Sequence, residues 1–278
     1  MVRKSGKRGS TKRPRSSQTT SSKSKRPNSS TRLNKYIANA GICSRREADV
    51  LIEQGKVKVN DRVVTTLGYQ VKPGDRVKYQ NQVLRPEPLV YVLLNKPKDY
   101  ITTTHDPEQR KTVMQLVSKA CKERIFPVGR LDRNTTGLLL LTNDGDLSKK
   151  LTHPSHQVMK VYHVKLENPL SKADYHKILE GIQLDDGPVN VDQLEFVSAD
   201  KTELGIELHS GRNRLIRRIF EQLGYEVVKL DRVIFAGLTK KDLPRGKWRR
   251  LSQRELIRLK HLDKGAPGPA HKKKKPQK

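Results

Sequence analysis

An α+β fold in two folded parts is what this 278-residue sequence predicts, and three observations predict it. Apolar residues at helical spacing give way to short alternating strands between Leu33 and Tyr79. A proline-bearing stretch, Arg85-Pro86-Glu87-Pro88, then interrupts the chain. Beyond it, strand-like runs are separated by irregular helical stretches, without the regular alternation that builds a parallel sheet. The expected plan is a small basic module over 32–80, a linker over 81–89, and a larger domain over 90–262 on a mixed, largely antiparallel sheet, with basic tails at 1–31 and 263–278.

Each element has a local reason. Leu33, Tyr36, Ile37 and Ala40 fall at helical spacing, and Gly41 ends that helix. Ser44-Arg45-Arg46-Glu47 is a capping box, followed by the apolar stripe Ala48, Leu51 and Ile52 and stopped at Gly55. Val57 and Val59 alternate with lysines, Asn60-Asp61 turns the chain, Val63 resumes, and Pro73-Gly74-Asp75 turns again into Val77 and Tyr79. In the larger part, Val90 to Leu94 is a strand closed by Asn95-Lys96-Pro97. Further strands are expected at Leu138–Thr142, Val158–Leu166 and Leu204–Leu208, and helices near Lys111–Ala120, Lys172–Gly181 and Leu215–Leu223. Asn143-Asp144-Gly145-Asp146 reads as an ordinary turn.

Charge names the kind of partner. The formal net charge is +29; residues 1–31 hold ten Lys/Arg and no acid, residues 263–278 hold six Lys against Asp263, and about half of the excess therefore lies on the central chain. Such a field attracts polyanions, nucleic acid first. An anionic membrane surface is the weaker option, because no basic amphipathic helix carries a matching apolar face. Both tails read as disordered, RNA-touching segments. Cys43 and Cys121 lie far apart without metal-spaced neighbours, so neither a disulfide framework nor a metal site is expected, and a reducing, cytoplasmic setting is. No stretch has the length of a signal peptide or a membrane helix.

Two segments carry chemistry. Gly129-Arg130-Leu131-Asp132-Arg133-Asn134-Thr135-Thr136-Gly137 places a carboxylate among arginines just ahead of the buried run Leu138 to Leu141, with Gly137 supplying a backbone turn that a side chain would resist. An isolated Asp beside Arg130 and Arg133 ordinarily forms a surface ion pair of little worth. The second segment changes that reading. In Gly211-Arg212-Asn213-Arg214-Leu215-Ile216-Arg217-Arg218-Ile219-Phe220, the residues Ile216, Ile219, Phe220 and Leu223 form one helical stripe and leave four guanidiniums on the other faces. Most of these would coat phosphates, and one is expected to reach inward and hold Asp132 ionised and oriented.

Arg32-Leu33-Asn34-Lys35, Ser44-Arg45-Arg46-Glu47-Ala48 and Val57-Lys58-Val59-Asn60, in that order, resemble the RNA-binding domain of ribosomal protein S4. The Asp132 segment, the strand around Lys160-Val161-Tyr162 and the Gly211–Arg218 segment together resemble the RsuA/RluB/RluF family of ribosomal RNA pseudouridine synthases, over nearly all of 32–260. That resemblance implies a pseudouridine synthase catalytic fold and conversion of uridine to pseudouridine: the N-glycosidic bond breaks, the uracil turns, and it rejoins through C5. Neither a redox cofactor nor a metal is implied. By the same resemblance Asp132 matches the catalytic aspartate, Tyr162 the aromatic that stacks on the target uracil, and Arg217 the basic partner of the aspartate. Leu230 and Arg130 fall to the substrate pocket, and Asn95-Lys96-Pro97 to a first motif of mainly structural role. Arg45, Arg46, Lys56, Lys58, Arg212, Arg214 and Arg218 are the expected RNA contacts.

The implied partner is ribosomal RNA, with no membrane and a monomeric enzyme. Large-subunit (23S) RNA is favoured over small-subunit (16S) RNA by the S4-like module, His153-Pro154-Ser155 and the Asn213–Arg218 helix. The competing readings are weaker. A non-catalytic ribosome-associated RNA-binding protein leaves the second-domain motifs unexplained, a methyltransferase would need a G-x-G-x-x-G cofactor loop, which is missing, and Asp132 with Asp144 as a hydrolase pair conflicts with the turn reading of Asp144.

Overall fold

The computed structural model describes Met1 and residues 30–262. The segments expected as disordered tails lie outside the described residues, apart from Met1, Ser30 and Thr31. Two compact units divide the chain, Met1–Ala38 with Cys43–Leu84, and Asn39–Ile42 with Arg85–Lys278.

The smaller unit runs β1 (Thr31–Arg32), α1 (Leu33–Asn39), α2 (Arg45–Glu53), β2 (Val57–Val59), β3 (Arg62–Val63), β4 (Gln70–Val71), β5 (Val77–Tyr79) and β6 (Gln82–Val83). Ser44 caps α2, its hydroxyl accepting from the Glu47 backbone while the Glu47 carboxylate accepts from the Ser44 N–H at 2.7 Å. The four strands lie in the order β3-β2-β5-β6, antiparallel throughout. Two tight turns set their register. Asn60 and Asp61 both adopt positive φ, as do Gln80 and Asn81, which is the backbone that two-residue hairpins require. The second turn was invisible in the sequence because glutamine is not a turn former, so part of the span expected as a linker forms β6.

The larger unit runs β7 (Tyr91–Lys96), α3 (Val113–Val117), β8 (Phe126–Pro127), β9 (Thr136–Thr142), α4 (Gly145–Thr152), a 3-10 turn (Pro154–His156), β10 (Lys160–Leu166), α5 (Lys172–Glu180), β11 (Ile182–Leu184), β12 (Gly187–Val189), β13 (Gln193–Phe196), β14 (Glu203–Leu208), α6 (Leu215–Gln222), β15 (Val227–Phe235), β16 (Leu238–Thr239), β17 (Trp248–Arg250) and α7 (Gln253–Lys260). Its nine-stranded sheet has the order β13-β14-β10-β15-β9-β7-β17, with β16 on β15 and β8 on β9. Only the β9–β15 pairing is parallel, so the sheet is mixed and largely antiparallel. The fold is α+β.

The unit holds elements beyond those expected. Asp144 is not part of an ordinary turn: its side chain accepts from the Leu147 N–H at 3.0 Å and caps α4, while Asn143 accepts from the Val90 N–H and pins the start of β7. The strand β15 interrupts its apolar pattern with Lys229, Asp231 and Arg232, the last two of which are buried because they have partners. The short β17 and the helix α7, itself opened by a Ser252–Glu255 capping box, close the unit.

Candidate active site

The Asp132 loop joins β8 to β9 and is held from several sides. Gly129 enters it at φ +72° and Gly137 leaves it at φ +105°. A Cβ at Gly137 would stand 2.3 Å from the Arg232 carbonyl oxygen and 2.5 Å from its nitrogen, so the parallel pairing of β9 with β15 needs a glycine there. Thr102 accepts from the Leu131 N–H and donates to the Leu131 carbonyl at 2.7 Å. The Asp99 N–H donates to the Arg133 carbonyl, and the Arg133 guanidinium lies 3.3 Å from the Asp99 carboxylate.

The strongest tether is Lys96. Its side chain is fully buried at the end of β7, and its Nζ lies within hydrogen-bond distance of the carbonyls of Thr135 (2.8 Å), Asp132 (3.0 Å), Arg133 (3.1 Å) and Pro97 (3.1 Å). Burial outweighs the opposing pull of the negative charge of Asp132 and holds the ammonium down at about 8. An ammonium that collects carbonyl oxygens fixes the backbone of the loop and leaves the Asp132 carboxylate free. Among the described residues no side chain hydrogen-bonds or ion-pairs with that carboxylate.

Asp132 opens onto a cleft of about 660 Å³ that it lines with Arg133, Asn134, Arg214, Arg217, Glu221, Tyr225, Glu226 and Val227. The opposite wall is α6. Leu215, Ile216, Ile219 and Phe220 bury one face of that helix, which leaves Arg214 and Arg217 on the cleft side. Arg214, at φ +47°, precedes the first turn and pairs with Glu221 at 2.9 Å. Arg217 donates through Nη1 to the Val227 carbonyl at 2.8 Å. A second cavity, of about 340 Å³, also touches Asp132, with Thr102, His105, Arg110, Arg130 and Asn213 among its lining.

This geometry, a backbone-anchored carboxylate facing arginines across a polar cleft, coincides with matches to known proteins. The RNA pseudouridylate synthase family model matches residues 90–222, and the S4 domain model matches residues 31–77. The ribosomal large subunit pseudouridine synthase B of Bacillus subtilis (strain 168) is 41% identical over 235 residues, covering 83% of this chain and 96% of that protein. The chain belongs to the RNA pseudouridylate synthase family. This synthase is also 41% identical over 236 residues to the dual-specificity RNA pseudouridine synthase RluF of Escherichia coli (strain K12), covering 84% of this chain and 79% of that one. A crystal structure of a pseudouridylate synthase superposes with a TM-score of 0.59 at 30% identity, covering 82% of this chain and 99% of that one. The protein is therefore an RNA pseudouridine synthase with an amino-terminal S4 domain.

The candidate residues of the synthase fall into four groups. Asp132, Arg214 and Arg217 share the cleft, and Arg130 joins them through the second cavity. Tyr162 and Leu230 do not line the cleft; they pack in the core cluster that contains the buried face of α6, and Tyr162 also packs on the cluster that contains Leu131. Tyr162 lies on β10 opposite Ile206 and Arg232, and Leu230 opposite Val164. Arg212 and Arg218 turn to the hairpin between β11 and β12, where Arg218 contacts both Asp185 and Asp186 and Arg212 contacts Asp186 and the Gly187 carbonyl. In the S4 domain, Arg45 and Arg46 are exposed in the first turn of α2, Lys56 is exposed before β2, and Lys58 is half-buried on it.

One expectation changes in detail. No hydrogen bond or ion pair joins Arg217 to Asp132; the guanidinium is docked on the Val227 carbonyl, and the buried cation beside the aspartate is Lys96. The sequence offered a signal for Lys96, a lysine at the end of a strand that is otherwise almost wholly apolar. Its partners, 36 to 39 residues downstream, did not show there. Asp231 was missed altogether. It is buried on β15 and accepts from Thr136 (2.8 Å), Arg245 (2.8 Å) and Lys240, so that β9, β15 and the segment that follows β16 meet at one carboxylate.

Proposed function

We propose that this synthase isomerises a uridine of large-subunit ribosomal RNA, with the Asp132 carboxylate acting at the ribose of the flipped nucleotide. A single observation carries the assignment of Asp132: its backbone is fixed by Lys96 while its carboxylate, unpaired within the described chain, faces a cleft of nucleotide size. A preorganised anion of this kind suits attack at C1′ with departure of uracil through N1, or removal of the C2′ proton on the way to the same departure. In the first route C5 of the turned uracil bonds to C1′ and displaces the Asp132 carboxylate; in the second, C5 bonds to C1′ as the Asp132 carboxyl returns the proton to C2′; in both, C5 then loses its proton. The uridine leaves its stack to reach the cleft, and Tyr162, packed between the Leu131 cluster and the α6 cluster and outside the cleft's lining, is the aromatic assigned to turn toward the cleft and receive its face. Arg217, moving from the Val227 carbonyl, is the cation assigned to the aspartate or to the phosphate beside it. The choice of large-subunit RNA rests on the similarity to the B. subtilis enzyme and on the S4 domain.

Asp132→Asn tests the core of this reading. The amide is isosteric but is neither nucleophile nor base, so pseudouridine formation on ribosomal RNA transcripts should fall by at least about a thousandfold while RNA affinity changes less than about threefold. Equal turnover by the two proteins would remove Asp132 from the reaction. Mapping pseudouridine in large- and small-subunit RNA from cells with and without the gene tests the substrate.

A further inference from the structure

In a chain of net charge +29, an acidic turn at the edge of the RNA-handling helix needs an account. Asp185 and Asp186 form the two-residue turn between β11 and β12, since Leu184 pairs with Gly187. Asp185 is 85% exposed and Asp186 45% exposed, yet both contact the Arg218 guanidinium, which is only 21% exposed. Asp186 also lies 3.4 Å from Arg212, whose Nη1 donates to the Gly187 carbonyl at 3.0 Å. Hydrogen bonding from Arg218 holds the Asp186 carboxyl below the usual carboxylate range, and the same contacts raise Arg218. The four arginines of the Arg212–Arg218 segment are thus split, with Arg214 and Arg217 turned to the cleft and Arg212 and Arg218 neutralised outside it.

We propose that the Asp185–Asp186 turn is a specificity element: its carboxylates occupy Arg212 and Arg218 in place of RNA phosphate and surrender them to the backbone of a target seated in the cleft. This rests on the reading that the Asp132 cleft receives the target nucleotide. The physical case is competitive. Exposed ion pairs of this kind are each worth a factor of at most about five, so a phosphate brought alongside by a seated target displaces them, while a passing polyanion gains little by doing so. The turn therefore weakens binding of RNA that lacks a target more than binding of RNA that has one.

The test is the full-length double variant Asp185→Asn/Asp186→Asn, compared with the charge-matched control Glu180→Gln/Glu195→Gln, whose side chains are exposed. The probe is a 20-nucleotide oligoadenylate with no uridine. The Asp185/Asp186 variant should bind it about three- to tenfold tighter at low salt, with a dependence on log salt steeper by about one to one and a half, as two released cations predict. The control should move both quantities much less. Adding Arg212→Gln and Arg218→Gln to the variant should restore the wild-type slope; in the Asp185→Asn/Asp186→Asn variant itself, turnover at saturating target transcript should stay within about twofold. Unchanged oligoadenylate binding, or an equal shift in the control, would overturn the proposal. Loss of turnover with a lowered melting temperature would do so too, by showing that the turn merely positions α6. Failure of the Asp132 reading would show separately, as wild-type turnover by Asp132→Asn.

Discussion

Lys96 is the residue on which the geometry of the reacting group depends. A lysine ammonium has three protons, and here they are shared among four carbonyl oxygens, three of which belong to the loop that carries Asp132. Hydrogen bonds from a charged donor in a dry site are strong, and removing the donor leaves buried carbonyls without partners. Lys96→Met should therefore cost roughly 3 kcal/mol or more of stability. The consequence for chemistry is separate. A shift of the aspartate by about 1 Å lowers turnover by about a hundredfold, so kcat should fall that far even at temperatures where the variant is fully folded. Lys96→Arg should not rescue it, because the site is sealed and a forked guanidinium is larger than an ammonium. Urea unfolding and single-turnover assays read the two effects, and undiminished single-turnover rates in a destabilised protein would confine Lys96 to stability.

At the scale of elements, the active-site frame is the junction of β9, β15 and the segment that follows β16, and Asp231 is its knot. Burial alone would raise the pKa of this carboxyl, but hydrogen bonds from Arg245, Lys240 and Thr136 overcome that and hold it at about 2, against an ordinary value of 3.8. The folded value is the depressed one, so the stabilisation is present in full above pH 4 and is lost as the pH falls toward 2. Asp231→Asn should lose about 2 kcal/mol at pH 6, and its deficit relative to wild type should shrink by pH 3, as the carboxyl takes up its proton in the unfolded chain while the folded one still resists it. A deficit of the same size at both pH values would point to packing instead. The strand that carries Asp231 was also the element hardest to see in the sequence, and for the same reason. Asp231 and Arg232 interrupt its apolar run, and only partners at Leu138, Arg245 and Lys240 make their burial affordable. Where the determinants are local, the sequence was legible: the Ser44–Glu47 box starts α2, Asn60-Asp61 closes β2 onto β3, and Leu138 to Leu141 lie wholly in the core. Asp144 misled because a helix cap and a turn use the same residue types, and the helix-forming run from Asp146 to Leu151 decides between them. Asp132 stood out as an acid among arginines, whereas the roles of Lys96 and of the Asp185–Asp186 turn depend on residues far away in the chain.

Charge is distributed over the whole molecule in a way that separates capture from chemistry. The lining of the cleft holds three cations, Arg133, Arg214 and Arg217, and three anions, Asp132, Glu221 and Glu226, so its formal charge balances in a chain of net charge +29. A balanced cleft contributes little to non-specific attraction, and the excess cations elsewhere must supply it. Residues 2–29 alone hold ten Lys/Arg and no acid, and their removal spares β1, which begins at Thr31. Deleting them should weaken binding of ribosomal RNA about tenfold at physiological salt and flatten the salt slope by about two or more. Turnover at saturating RNA should not change, because every group that fixes Asp132 lies beyond residue 95. The measurement is a set of binding isotherms at four salt concentrations beside one saturating turnover assay. An unchanged slope would mean that capture is carried by the S4 domain and the catalytic surface, and a fall in turnover would mean that the segment reaches the site.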